Sequence, residues 1–157
     1  MSARTKKRAR QSPVRSERQS IGSLINQAAS SADGPRAALL KRLREICLAL
    51  PETKETVKWG HPTFEAGKKI FAVLDHYDGQ SCIAFRSSKG DQAKILRDKR
   101  FFPAPYAAAH GWVCLRADSE LNWPEVQDLL AASYRLVALK RMLSTLDSRG
   151  TATNSAP

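Results

Sequence analysis

The first long periodic segment of the chain has the apolar spacing of an amphipathic helix. Its apolar stripe repeats every three or four positions: Leu39, Leu43, Ile46 and Leu50, flanked by Leu40 and Cys47. This spacing predicts a helix over residues 36–50 with one face turned to a core. Pro51 ends the helix, because the proline ring disfavours helical backbone in the residue before it.

The pattern then changes to short apolar and β-branched runs, which are typical of strands. The runs are Thr56–Trp59, Thr63–Glu65, Lys69–Leu74 and Gln80–Arg86. Breaks that contain glycine separate them, and Asp78-Gly79 is a strong signal for a tight hairpin turn. Short strands joined by short turns predict an antiparallel meander.

A second helix and a further strand follow the meander. Ser88 and Asp91 have the spacing of a capping box, which predicts a helix that ends near Arg97. Residues 99–109 are rich in proline and aromatic side chains and are interpreted as a loop. Residues 111–116 are apolar and β-branched enough to predict a fifth strand.

The last periodic segment predicts a long helix that begins at Asn122 and runs to Leu146. Glu125 lies three residues after Asn122, the spacing of a second capping box. The complete order is helix, strands, helix, strand, helix. The sequence therefore predicts an α+β fold: an antiparallel sheet of about five strands with helices packed on one face.

The two ends of the chain differ in composition from its centre. Residues 1–35 are basic and contain few core-forming side chains, so we expect a flexible basic N-terminal arm. Residues 147–157 lack bulky apolar groups and are interpreted as a disordered C-terminal tail. A single domain is predicted between them, over residues 36–146.

Net charge is the most informative bulk property. The chain of 157 residues carries +11 at pH 7, which is the electrostatic signature of a protein that binds a polyanion such as nucleic acid. The alternative is that the charge serves only solubility.

The scattered cysteines, Cys47, Cys82 and Cys114, do not have zinc-ligand or redox-motif spacing. We therefore expect buried thiols in a reducing compartment, and a cytoplasmic protein. We expect neither a metal nor a cofactor. The sequence has no apolar run long enough to span a membrane. The Arg- and Ser-rich start also fits an organelle transit peptide.

Several short motifs, in this order, resemble the MmcQ/YjbR family. They are Trp59-Gly60-His61-Pro62-Thr63-Phe64, Gly67-Lys68-Lys69-Ile70-Phe71-Ala72, Gly111-Trp112-Val113 and the helical segment Ser133-Tyr134-Arg135-Leu136-Val137-Ala138. The resemblance covers about residues 37–143 and leaves out the basic arm. It implies a CyaY-like α+β fold and DNA binding, and it implies no catalytic residues.

A CyaY-like fold raises the question of iron, because frataxin-like proteins hold iron on an acidic first helix. The first helix predicted here carries Glu45 as its acid, among Arg36, Lys41, Arg42 and Arg44. Hard cations require clustered carboxylates. We therefore do not expect iron binding.

Two groups of basic residues are candidates for contact with nucleic-acid phosphates. The first group lies in the arm: Lys6, Lys7, Arg8 and Arg10. The second lies along the second helix and its exit: Lys89, Lys94, Arg97, Lys99 and Arg100. The aromatic residues that follow, Phe101, Phe102 and Tyr106, either stack on unpaired bases or pack beneath the loop. We expect non-specific contact with the phosphate backbone, with DNA preferred over RNA.

An alternative function is a protein- or small-molecule-binding module, or an uncharacterised enzyme. Its cleft would lie near Trp59, His61, Tyr106 and Trp112. The sequence brings together no nucleophile, base and orienting group, so we predict no catalytic residues. The sequence leaves the oligomeric state open.

Overall fold

The computed structural model describes residues 34–154, with side chains through Gly150. The chain divides into two units, and the second of them begins at Leu39. The sheet, core and groove described below belong to the second unit. The arm predicted over residues 1–35 lies outside the described residues except at Gly34 and Pro35, so it stays a prediction.

Within the described residues, four α-helices and six strands form an α+β fold. The helices are α1 (Pro35–Cys47), α2 (Lys89–Ile95), α3 (Trp123–Val137) and α4 (Lys140–Asn154). The strands are β1 (Thr53–Lys58), β2 (His61–Ala66), β3 (Lys69–Tyr77), β4 (Gln80–Arg86), β5 (Phe101–Pro103) and β6 (Trp112–Arg116). The predicted α+β class is confirmed.

The strands form one sheet in the order β1-β2-β3-β4-β6-β5, and every neighbouring pair is antiparallel. The β3–β4 turn is the predicted Asp78-Gly79 pair. Both residues have positive φ, 52° and 78°, as a two-residue hairpin turn of type I′ requires. The first four strands therefore form the predicted meander, and β6 pairs with β4.

The helices pack on one face of the sheet. Residues from all four contribute to the main apolar core, with Leu43, Phe71 and Leu130 fully buried within it. Ser133 joins α3 to the sheet: its Oγ donates to the Phe71 carbonyl at 2.6 Å and accepts from the Arg86 amide at 2.9 Å. These bonds satisfy polar groups that would be costly to bury alone.

The sheet has six strands rather than about five, because part of the predicted 99–109 loop forms β5. Phe101 pairs with Leu115 and Phe102 with Cys114. Pro103 is compatible with this position because β5 is an edge strand, where a residue without a backbone N–H can leave its unpaired side toward solvent.

The long helix predicted from Asn122 to Leu146 is two helices. The backbone leaves helical geometry at Ala138, where φ is −66° and ψ is 149°. No proline or glycine marks this break. The break is accompanied by complete burial of Met142, whose sulfur accepts from the Leu139 amide at 3.3 Å.

The last helix also ends later than the sequence pattern predicted. Helix α4 continues to Asn154, eight residues past Leu146 and through most of the segment predicted as a disordered tail. Polar contacts rather than apolar burial attach this part of the helix. Arg149 donates to the Ala49 carbonyl at 3.1 Å, and Arg135 pairs with Asp147 at 2.7 Å.

Candidate functional site

The sheet face opposite the helices carries a groove of about 410 Å³. Its floor comes from small apolar side chains of neighbouring elements: Val73 of β3, Ala84 of β4, and Ala104 and Ala107 of the β5–β6 connection. Small residues at these positions leave depth above the sheet. Aromatic side chains surround the floor: Trp59, Tyr77, Tyr106 and Trp112.

Two of the aromatic side chains are unusually exposed and have unusual backbone. Trp59 is 84% exposed, and Tyr106 is fully exposed. Their φ angles are 53° and 65°, in the left-handed region that bulky residues rarely adopt. Trp59 lies in the β1–β2 turn, and Tyr106 in the β5–β6 connection. Both positions project a large ring from a tightly bent backbone.

Asp75 and His61 are the ionisable groups other than tyrosine that line the groove. The His61 Nε2 atom lies 3.4 Å from the Asp75 Oδ1 atom, which also accepts from the His76 amide at 2.7 Å. No lysine or arginine lines the groove among the described residues. With histidine counted as neutral, the formal charge of the groove is therefore negative, in a chain whose net charge on the same convention is +11.

A second candidate region is the basic segment, defined here as residues 89–100. The side chains of its first four cations are exposed: Lys89, Lys94, Arg97 and Lys99. None forms an ion pair within the part of the chain that the structure describes. Such cations can approach a phosphate without first leaving a carboxylate.

Arg100 differs from the other cations of the basic segment. Its guanidinium contacts Asp98 at 2.6 Å and Glu125 at 3.0 Å. The hydrogen bonds from Arg100 hold the pKa of the Asp98 carboxyl below its usual value. Arg100 thus links the exit of α2 to the first turn of α3, and its charge is already compensated.

The comparisons with known proteins identify the family. The family model for YjbR matches residues 48–136, more than half of the chain. The chain belongs to the YjbR family. The matched part of this YjbR protein includes the whole basic segment and all the aromatic residues of the groove.

A solved structure supports the fold of the YjbR domain. The crystal structure of Deinococcus radiodurans protein DR2400, with a domain of the DUF419 family model, is 19% identical and has a TM-score of 0.57. The match covers 69% of this chain and 87% of that one. No curated protein matches the chain. The family recognised from the sequence motifs is therefore confirmed, together with its fold.

The structure brings all four residues of the sequence-predicted cleft into the same groove: Trp59, His61, Tyr106 and Trp112. Sequence reasoning missed Asp75, Tyr77 and the floor residues. A signal existed in β3, where Val73, Asp75 and Tyr77 lie two positions apart and so share one face of the strand. The function of the cleft in this YjbR protein stays a prediction.

The aromatic residues after the basic segment pack rather than forming an exposed platform. Phe101 is buried and meets Phe85 edge-on at 6.2 Å between ring centroids. Phe102 lies 6.0 Å from the Tyr77 ring and 4.7 Å from the Arg116 guanidinium carbon. Of the three rings considered from the sequence, only Tyr106 is fully exposed.

The buried thiols of the YjbR domain are poor nucleophiles. All the cysteines are free and buried. A hydrogen bond with Cys82 and burial raise the pKa of the Cys114 thiol, and burial raises that of Cys47. Both thiols therefore stay protonated at neutral pH, whereas reaction as a nucleophile requires the thiolate.

Glu65 is a buried carboxylate on the open face of the sheet, beside β1. Lys58 donates to its Oε1 atom at 2.5 Å, and the Lys54 Nζ atom lies 3.7 Å from Oε2. The hydrogen bond from Lys58 lowers the pKa of Glu65 despite the opposing effect of burial. Lys54 and Lys58 thus already pair with a carboxylate, whereas Lys89, Lys94 and Lys99 of the basic segment form no ion pair among the described residues.

Lys6, Lys7, Arg8 and Arg10 lie outside the described residues. Within residues 34–154, no three His, Cys, Asp or Glu side chains cluster closely enough to share a metal ion. The same part of the chain has no helix that is both long and apolar enough to cross a membrane.

Proposed function

We propose that this YjbR-family protein binds DNA non-specifically through its phosphate backbone, and that the basic segment is its principal contact surface. The observation that carries the proposal is the set of exposed cations without ion pairs among the described residues: Lys89, Lys94, Arg97 and Lys99. The charge of the whole chain, +11, favours association with a polyanion.

The proposal excludes Arg100 from the phosphate contacts that were predicted from the sequence. Asp98 and Glu125 already surround its guanidinium. Contact with a phosphate would require the loss of these ion pairs. The arm residues Lys6, Lys7, Arg8 and Arg10 are proposed to add affinity, since the net charge of residues 1–35 is also positive.

Backbone contact without base recognition fits the short length of α2. This helix has only seven residues, Lys89–Ile95, and it lacks the cluster of Asn, Gln and Arg at its start that reads base edges in a major groove. Cations near the end of a helix also interact favourably with the helix dipole. Stability and DNA affinity must therefore be measured separately.

The test is a fluorescence-anisotropy titration of labelled duplex DNA with the full chain at two salt concentrations. A variant with Lys89, Lys94, Arg97 and Lys99 all changed to Ala should bind two unrelated sequences equally weakly. The log–log salt slope should flatten by about 0.9 for each phosphate that the variant no longer neutralises.

The matched control removes the same charge from exposed lysines elsewhere: Lys41, Lys68, Lys69 and Lys140, all changed to Ala. The control should retain most of the affinity and slope. Equal losses of DNA affinity in the two variants would show that binding depends only on net charge, against the proposal. Unchanged binding in a folded basic-segment variant would assign the contact to the arm, against the proposal.

A further inference from the structure

We propose that the groove on the open face of the sheet is a binding site for a small planar aromatic cation. In this site the ligand ring stacks on the aromatic walls, and its positive charge faces Asp75. The site is separate from the proposed DNA contact, since no side chain of the basic segment lines the groove.

The shape of the groove favours a flat ligand of limited size. Its volume, about 410 Å³, is within the range of small-molecule sites. The floor consists of short side chains above a rigid antiparallel ladder, in which Val73 pairs with Ala84. A flat ring can contact this floor without displacing a bulky side chain.

The positions of Trp59 and Tyr106 are difficult to explain by stability alone. Neither ring is buried, so neither gains much from the hydrophobic effect. Both residues nevertheless have positive φ, a conformation that is unfavourable for residues other than glycine. Exposed rings on unfavourable backbone around one groove point to a function, and stacking on a ligand is a function that exposed rings can serve.

The charge of the ligand follows from the groups that line the groove. Asp75 supplies a carboxylate, whose Oδ1 atom lies 3.4 Å from the His61 Nε2 atom, and the faces of Trp and Tyr rings carry negative electrostatic potential. Lysine and arginine are absent from the lining among residues 34–150. The positive charge of the rest of the molecule acts from a greater distance and is screened by salt.

The test uses three tricyclic probes of similar shape, titrated into the full chain by calorimetry at neutral pH: 9-aminoacridine as the cation, acridine as the neutral ring and acridine-9-carboxylate as the anion. We expect one site that binds the cation about tenfold more tightly than the neutral ring, and no detectable binding of the anion. Equal affinity for all three probes would overturn the assignment of charge.

Variants then locate the site. Asp75→Asn should weaken binding of 9-aminoacridine about tenfold and leave that of acridine unchanged. Trp59→Ala and Tyr106→Ala should each weaken binding of both probes about tenfold, because each removes a stacking surface. Both variants should fold, because these side chains are exposed.

The matched control is Leu136→Ala, which removes an exposed apolar side chain from α3, outside the groove. It should bind both probes like the unmodified chain. The proposal fails if the Leu136 variant loses as much affinity as the Trp59 variant, or if the groove variants bind normally. Either result leaves the DNA-binding proposal untouched.

Discussion

In the basic segment the functional candidates are long, exposed side chains on and after a short helix, whereas in the groove they surround a floor built on paired strands. The cations at Lys94 and Arg97 have no described partner that fixes their position. The groove floor at Ala84 belongs to a strand with hydrogen-bonded neighbours on both sides. The first surface suits a partner recognised by charge, and the second suits one recognised by shape.

Residue type alone does not determine whether a side chain can contact a ligand. Arg97 and Arg100 are three residues apart in the sequence, yet Arg100 is held by Asp98 and Glu125 while Arg97 forms no ion pair among the described residues. In the groove, Trp112 is partly buried as a wall, while Trp59 is almost completely exposed. In both the arginine pair and the tryptophan pair, the two residues have the same chemical type and differ in their surroundings.

The largest effect is expected at Gly111, which precedes the groove residue Trp112 and contacts Ser87, just before α2. Its φ is 88°, and a Cβ atom there would lie 2.3 Å from the Ser87 carbonyl oxygen. The Ser87 amide also donates to the Gly111 carbonyl at 2.8 Å. We expect Gly111→Ala to destabilise the protein by about 3 kcal/mol, measured by urea unfolding.

Gly79→Ala is the control, since φ is also positive there, at 78°, but nothing lies within 4 Å of the added Cβ. It should cost only about 1 kcal/mol. Equal losses at the two glycines would show that the contact with Ser87 is unimportant.

A smaller effect, of opposite sign, is expected for the groove at Trp59. Asparagine tolerates the left-handed conformation of this turn better than tryptophan, so Trp59→Asn should stabilise the protein by about 0.5 kcal/mol. The same variant should lose the aromatic-cation binding proposed above. A decrease in the urea midpoint would show that the exposed Trp59 ring contributes to stability.

The pH dependence of stability should distinguish the buried carboxylate of Glu65 on β2 from the carboxylate of Asp98 in the basic segment. The lowered pKa of Glu65 means that its pairing with Lys58 stabilises the fold above the unfolded pKa, about 4.3. This contribution is lost as the pH falls through the lower folded-state value. Between about pH 5 and pH 3, the unmodified protein should therefore lose more stability than Glu65→Gln.

Asp98→Asn is the matched variant in the basic segment. The pKa of Asp98 is also lowered, through Arg100, but this ion pair is exposed and so contributes less. Its pH profile should resemble that of the unmodified chain more closely than the Glu65→Gln profile does. The interpretation is contradicted if Asp98→Asn removes more of the acid dependence.

The smallest effect is expected from the two arginines of the basic segment taken singly. Arg100→Ala should lower the thermal midpoint slightly, because it breaks the link to Glu125 on α3. It should leave DNA affinity nearly unchanged. Arg97→Ala should instead lower DNA affinity and leave the thermal midpoint nearly unchanged. Calorimetric melting and anisotropy measured on the same preparations test this, and a larger loss of DNA affinity for Arg100→Ala would contradict it.

Local signals in the sequence were sufficient for much of the fold. Asp78-Gly79 forms its turn, and Ser88 caps α2 by accepting from the Asp91 amide, as its spacing predicts. Asn122 likewise caps α3 through the Glu125 amide. These features depend on residues within three positions of one another, so a linear pattern contains them.

Features that depend on distant partners were not predictable in this way. Strand β5 exists because Phe101 pairs with Leu115, and the break at Ala138 accompanies the burial of Met142. Arg100 pairs with Glu125, which lies 25 residues later in the sequence. Trp59, Tyr106 and Trp112 were predicted from residue type, but Asp75 and Tyr77 required the face of β3 to be known.

The most direct test of the account is to measure duplex DNA and 9-aminoacridine, in separate titrations, on the basic-segment variant and on a Trp59→Ala/Tyr106→Ala variant. If the regions act as proposed, the first variant loses DNA affinity and keeps the dye, and the second loses the dye and keeps DNA. Loss of both ligands in either folded variant would contradict the division of the molecule into a charged contact surface and an aromatic groove.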